Sequence, residues 1–190
     1  MRPIHHGVAA ESSQPGVVTG LAWTQIGGDI LYIETLFAKG SGKTIITGQL
    51  GDVMKESVQI SVSLVKSIYT DKAELFDKND LHIHVPDGAV PKDGPSAGIT
   101  LTTALSSLVI GHTVSPQLAM TGEVSLRGVV SPIGGLPEKL MAAKHSGVHK
   151  VFIPEENKDD LTEVADEVKN SLIIIPVSTV KDVLAQTHIL

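Results

Sequence analysis

Two short runs hold residues whose types and spacing suit bond-breaking chemistry. Pro91-Lys92-Asp93-Gly94-Pro95-Ser96-Ala97-Gly98 presents a hydroxyl just ahead of an apolar, helix-like stretch. Gly134-Gly135-Leu136-Pro137-Glu138-Lys139-Leu140 opens a second helix with an amine in its first turn. A hydroxyl nucleophile needs a neighbouring base and donors aimed at the oxyanion that forms on attack. Helix entrances carry unpaired backbone N–H groups, so Ser96 has donors close by. Gly94 and Gly98 leave room for a peptide carbonyl to approach. Serine is equally a favoured N-cap residue, and the two readings of Ser96 are compatible. Ile99 stands where a capping box would need Glu or Gln.

Lys139 breaks a rule. The positive end of the helix dipole disfavours an ammonium in the first turn, yet one is present. Its place between Leu136 and Ala143 borders the apolar face, and Ala142 and Ala143 leave space for the stem to turn inward. Desolvation and the helix field both favour the neutral amine, the form that can accept a proton. The plainer alternative is a surface lysine whose stem snorkels. Read together, the two runs suggest a hydrolase built on a serine–lysine pair.

A Ser-His-Asp arrangement fits less well. Gly94-Pro95-Ser96-Ala97-Gly98 matches G-x-S-x-G, but that elbow needs a strand running directly into it. Pro86, Gly88 and Pro91 make a poor central strand, and His145, His149 and His188 have no distinctive setting.

The elements that must position these groups read as strand-rich first and mixed later. An irregular lead-in, 1–16, includes an opening run Met1–His6 to which no function is given. Strands are expected at Val17–Trp23, Asp29–Phe37 and Lys43–Leu50, the first two around Gln25-Ile26-Gly27-Gly28. A helix is expected from Gly51-Asp52 to Tyr69, with Val53, Ser57, Ile60, Leu64 and Ile68 on one face at three- and four-residue steps. Then come a strand Asp80–Val85, a loop 86–95 and a helix Ser96–Ile110. Leu118–Thr121 and Glu123–Val130 are strand-like, and a helix at 137–146 ends at Gly147. The strand Lys150–Ile153, helix Asp159–Val168, strand Leu172–Val177 and helix Thr179–Ala185 complete the chain. The expected class is α+β: mixed sheets with helices packed on them, in a single domain over 17–190.

Composition narrows the partners. The 15 basic and 21 acidic residues are interspersed, with a net charge of −6, so no basic stripe would track a nucleic acid. The absence of cysteine excludes disulfides, thiolate catalysis and cysteine-ligated zinc. No apolar run has the length of a membrane span, and no signal-peptide core is evident. With aromatics at 3%, the core must be aliphatic.

Beyond the two helix entrances, several runs carry a resemblance. They are Gly20-Leu21-Ala22-Trp23, Thr47-Gly48-Gln49-Leu50-Gly51-Asp52-Val53-Met54-Lys55-Glu56-Ser57, His82-Ile83-His84-Val85-Pro86 and Met120-Thr121-Gly122-Glu123. With Pro91–Gly98 and Pro132–Lys139, the chain resembles the proteolytic domain of the Lon family of ATP-dependent serine proteases over nearly its whole length. The resemblance implies that Ser96 is the nucleophile and Lys139 the base, with a spacing of 43 that matches the family. It implies that Thr121 bonds the lysine, and that Asp93 sits at the mouth of the site, able to help or obstruct the pair. It further implies a homo-hexameric ring fed with unfolded polypeptide by an AAA+ motor that is absent from this chain. ATP and Mg would belong to that motor, with no cofactor or metal here. The expected location is a bacterial cytoplasm, with a mitochondrial matrix as the alternative.

Three weaker signals have plainer explanations. Gly40-Ser41-Gly42-Lys43-Thr44 lacks the leading glycine of a phosphate loop, Phe37 standing in its place, and is expected to be a hairpin turn. His82 and His84 share one face of a strand, where packing or hydrogen bonding is expected over metal ligation. Trp23 and Glu34 fall near the expected substrate groove, although a lone tryptophan more commonly joins a core.

Overall fold

The computed structural model describes residues 14–24, 27–86 and 92–190. The expected features on 1–13, on Gln25 and Ile26, and on 87–91 lie outside these. Nine strands lie among the described residues, and those in the middle of the sheet, such as β5 and β8, are buried along most of their length. They are β1 (Val17–Thr24), β2 (Gly27–Lys39), β3 (Thr44–Thr47), β4 (Asn79–His84), β5 (Leu118–Met120), β6 (Glu123–Val124), β7 (Val130–Ser131), β8 (Lys150–Pro154) and β9 (Ile173–Val177). Seven form one sheet in the order β3-β4-β2-β1-β5-β8-β9. The β1–β2 and β2–β4 pairs are antiparallel, and the other four pairs are parallel. A mixed sheet with helices on both faces agrees with the expected class.

The helices are α1 (Asp52–Ile68), α2 (Glu74–Lys78), α3 (Gly98–Ile110), α4 (Leu136–His145), α5 (Asp166–Ser171) and α6 (Val180–Gln186). One core lies between α1, α3, α6 and the sheet, with Val18, Ile33, Ile83, Leu101, Leu105 and Phe152 among its members. A second occupies the opposite face, where Leu136, Leu140 and Ala143 of α4 meet Leu21, Ala119 and Val151. Alternation along β1 explains the division: Val18 points to one core and Leu21 to the other. Helix α3 is buried on nearly every side and carries Thr102 and Thr103, whose hydroxyls bond the carbonyls of Gly98 and Ile99 at 2.8 Å each.

Several expectations need correction. Val53 is 45% exposed, and α1 buries Met54, Ser57, Val58, Ser61, Leu64 and Val65. Its buried arc is rotated toward α3, where Ser61 Oγ donates to Gly98 O at 3.3 Å and accepts from Thr102 Oγ1 at 2.9 Å. The strand at 43–50 stops at Thr47 because Gln49 takes a left-handed conformation, φ 58°. The 40–44 segment is not a hairpin, since β4 lies between β2 and β3. Its amides at Ser41, Gly42 and Lys43 donate to Asp80 Oδ1 at 3.0, 3.2 and 2.9 Å, which holds that carboxyl below its usual range. Glu123–Val130 is a small hairpin, β6 and β7, that turns between Ser125 and Val129. Asp159–Val168 is no continuous helix. A 3-10 segment, Glu155–Glu163, precedes an extended Val164 and the short α5. Asp and Asn side chains in that stretch bond locally and compete with helical geometry.

Candidate active site

The end of β5 organises the site. Met120 is paired with Gly20 of β1 and Phe152 of β8, so the next residues, Thr121 and Gly122, leave the middle of the sheet in a defined direction. Thr121 N–H donates to Phe152 O at 3.2 Å, and the residue is completely buried. Gly122 then joins the entrance of α3 by two main-chain bonds. Its N–H donates to Ser96 O at 2.9 Å, and its carbonyl accepts from Ile99 N–H at 3.0 Å. These bonds place Ser96 in a turn before α3, half-buried, two residues ahead of the first helical residue.

That placement bears on one of the two compatible roles considered for the hydroxyl. The N-cap position is Ala97, and no side chain caps α3. Ser96 is therefore not serving as a cap. Gly98 N–H is taken by Pro95 O at 3.2 Å, whereas the amides of Ser96 and Ala97 have no main-chain acceptor among the described residues. Two donors thus flank the hydroxyl.

Lys139 reaches the same place from the other face. The left-handed Gly135, φ 71°, turns the chain into α4, and Lys139 N–H donates to Gly135 O at 2.9 Å. Trp23 lies against this turn, so closely that a Cβ on Gly135 would stand 2.5 Å from its ring. Gly28 abuts the next turn, where a Cβ would meet Glu138 O at 2.0 Å. Both contacts press the helix entrance onto β1 and β2. The Lys139 side chain is driven inward and is only 2% exposed, deeper than a residue bordering the apolar face. Its Nζ donates to Thr121 Oγ1 at 3.1 Å. Burial alone lowers its pKa from 10.5 to about 8.

The structure thus brings three of the four expected site residues together. Ser96 and Lys139 are attached to consecutive residues, Gly122 and Thr121, although the serine hydroxyl and the amine are not bonded to one another. The Asp93 carboxylate, three residues before Ser96, is tied to another helix entrance. Its Oδ1 accepts from Met54 N–H at 2.9 Å at the start of α1, and such amide bonds hold its carboxyl below the usual range. Trp23, read as near the groove with a core place as the commoner alternative, is in no core: it is 59% exposed and covers the entrance of α4. Glu34 is exposed, opposite His84 on β4.

The other signals resolve as polar packing. His82 Nε2 and His84 Nδ1 both contact Thr47 Oγ1, at 3.0 and 2.7 Å. Among the described residues, no group of three or more His, Cys, Asp or Glu side chains is arranged to hold a metal ion. No helix among them is long and apolar enough to cross a membrane. One residue near the site carries no sequence signal at all: Asn157, buried beneath the segment that leads into α4.

Comparison with known proteins agrees with this geometry. The family model described as Lon protease (S16) C-terminal proteolytic domain matches residues 1–189. A Lon protease of Clostridium beijerinckii is 60% identical over 182 residues, which cover 96% of this chain and 23% of the relative. A Lon protease of Methanosarcina barkeri is 56% identical over 180 residues, covering 94% of this chain and 22% of the relative. One from Rhizobium meliloti is 54% identical over 183 residues, covering 95% and 23%. The chain therefore spans less than a quarter of the length of these relatives. With a buried amine and a helix-entrance serine anchored side by side, and a family match along its length, this chain belongs to the C-terminal proteolytic domain family of Lon proteases.

Proposed function

We propose that this chain is the peptide-cleaving part of an ATP-dependent serine protease, with Ser96 as nucleophile and Lys139 as general base. One observation carries the reading: the main chain of Ser96 and the amine of Lys139 are fastened to adjacent residues, Gly122 and Thr121. Lys139 Nζ, uncharged, takes the proton from Ser96 Oγ as the oxygen attacks a peptide carbonyl. The amides of Ser96 and Ala97 receive the oxyanion. Collapse breaks the C–N bond, and the lysine returns its proton to the leaving amine. Water then hydrolyses the acyl-serine by the same route. An ordinary lysine is neutral in only a few molecules per ten thousand near pH 7, whereas one with a pKa of about 8 is neutral in roughly one in ten. Catalytic hydrogen bonds commonly tighten only once substrate is bound, which accounts for the open Ser96–Lys139 contact.

The relatives' names and the resemblance extend the proposal. Substrates are unfolded polypeptides, the assembly is a homo-hexameric ring, and an AAA+ module binds ATP and Mg and delivers the chain. The place of action is the cytoplasm of a prokaryote. A fluorophosphonate probe, read by intact-protein mass and peptide mapping, tests the central step. Labelling at Ser96 should rise with pH through about 8 and be lost in Lys139→Gln. Labelling that is unchanged in that variant, or that falls on another serine, overturns the assignment.

A further inference from the structure

Asn157 is buried, 2% exposed, in the 3-10 segment that packs against α4. Its side chain treats Ile133 as a strand neighbour would. Oδ1 accepts from Ile133 N–H and Nδ2 donates to Ile133 O, both at 2.9 Å. Only one orientation of the amide satisfies both groups. The second Nδ2 hydrogen goes to Asp160 Oδ2 at 2.7 Å, a charge-assisted bond that locks that orientation. A buried amide with these bonds made is costly to disturb, because each lost partner leaves a desolvated group behind.

The position of Ile133 gives the clamp its consequence. Gly134 and Gly135 follow it under Trp23, and α4 begins at Leu136 with Lys139 in its first turn. Trp23 and Gly28 restrain the helix entrance from the sheet side, and Asn157 restrains it from the side of the 3-10 segment. We propose that Asn157 is a positioning residue for Lys139: its amide fixes the chain at Ile133 and thereby sets how deep α4 carries the amine. The inference rests on the reading of Lys139 as the base, and it concerns placement only.

Charge does not offer a competing explanation of the lysine's state. The ionisable groups on the elements around α4 include Asp29 and Glu34 on β2, Asp159 and Asp160 in the 3-10 segment and Glu167 on α5, with Glu138 on α4 itself. None contributes to the Lys139 shift, which burial sets alone. Loosening the clamp should therefore act through hydration.

The test follows the amine directly. NMR titration of Lys139 Cε in chain labelled with 13C-lysine, assigned by the signal missing in Lys139→Gln, reads its midpoint without reference to turnover. In Asn157→Ala the midpoint should rise by about one pH unit or more toward the ordinary lysine value. Asp160→Ala, which frees the amide but keeps it, should give a smaller rise. Removing a carboxylate would by itself favour the neutral amine, so a rise in that variant cannot come from charge. A folded Asn157→Ala with an unmoved midpoint overturns the inference. If that variant does not fold, Asp160→Ala decides by the same criterion. The expected rise in Asn157→Ala, found while the native chain neither cleaves peptides nor takes the Ser96 probe, would support the clamp and tell against the peptidase reading alone.

Discussion

Replacing Lys139 with Met should stabilise the protein while removing its activity. Methionine matches the length and flexibility of the lysine stem without the charge. The folded-state pKa is about 8 against 10.5 for the solvated lysine of the unfolded chain, and each unit is worth about 1.4 kcal/mol. Below pH 8, where both states of the native chain bind the proton, burial of the ammonium therefore destabilises the fold by about 3 kcal/mol. Between pH 8 and 10.5 the unfolded chain binds more protons than the folded one, so native stability rises with pH across that window. The methionine variant has no such dependence. It does leave Thr121 Oγ1 without its partner, at a cost of about 1 kcal/mol. The net gain near pH 7 is then about 2 kcal/mol, or close to 1 M in urea midpoint at a slope of 2–3 kcal/mol per molar. The gain should shrink through the window and reverse sign above it. Urea titrations at several pH values, followed by far-UV circular dichroism, measure the difference. A native chain as stable as the variant near pH 7, or a difference that stays flat up to pH 10.5, would refute the claim that the buried amine is a destabilising group kept for chemistry.

Two further outcomes bear on the site. Thr121→Val removes the hydroxyl at nearly constant volume, so peptide hydrolysis should fall by about tenfold with the fold intact, and Thr121→Ser should restore most of it. Gly135→Ala combines a left-handed backbone with a 2.5 Å approach to Trp23, and should lower the melting temperature by at least about 5 °C. Adding Trp23→Ala should recover part of that loss, and no recovery in calorimetry would show that the contact is unimportant.

The serine and the lysine were legible because each stands where a simple rule makes it conspicuous: a hydroxyl at a helix entrance, a cation at the positive end of a dipole. Strands β1, β2, β4, β8 and β9 were legible as short apolar or β-branched stretches bounded by turn and loop residues, β8 and β9 as unbroken apolar runs. The order of strands was not, since nothing local places β4 between β2 and β3. The depth of Lys139 was also hidden. It depends on how closely Gly28 and Trp23 let α4 approach the sheet, which is a property of distant residues meeting. The tie from Asp93 to α1, and Asn157 altogether, were hidden for a related reason. Each bonds backbone groups far along the chain, Met54 for one and Ile133 for the other, and a main-chain partner leaves no mark in residue type.

Gly122 has a mechanical consequence. With Ser96 O and Ile99 N–H both hung on it, and the lysine hooked to its immediate neighbour, the proposed nucleophile and base share a single point of suspension. A force that drags β5 carries both along at once. Switching such a site on or off therefore calls for rotation about side-chain bonds or a twist in the few residues ahead of the serine, rather than the parting of large bodies.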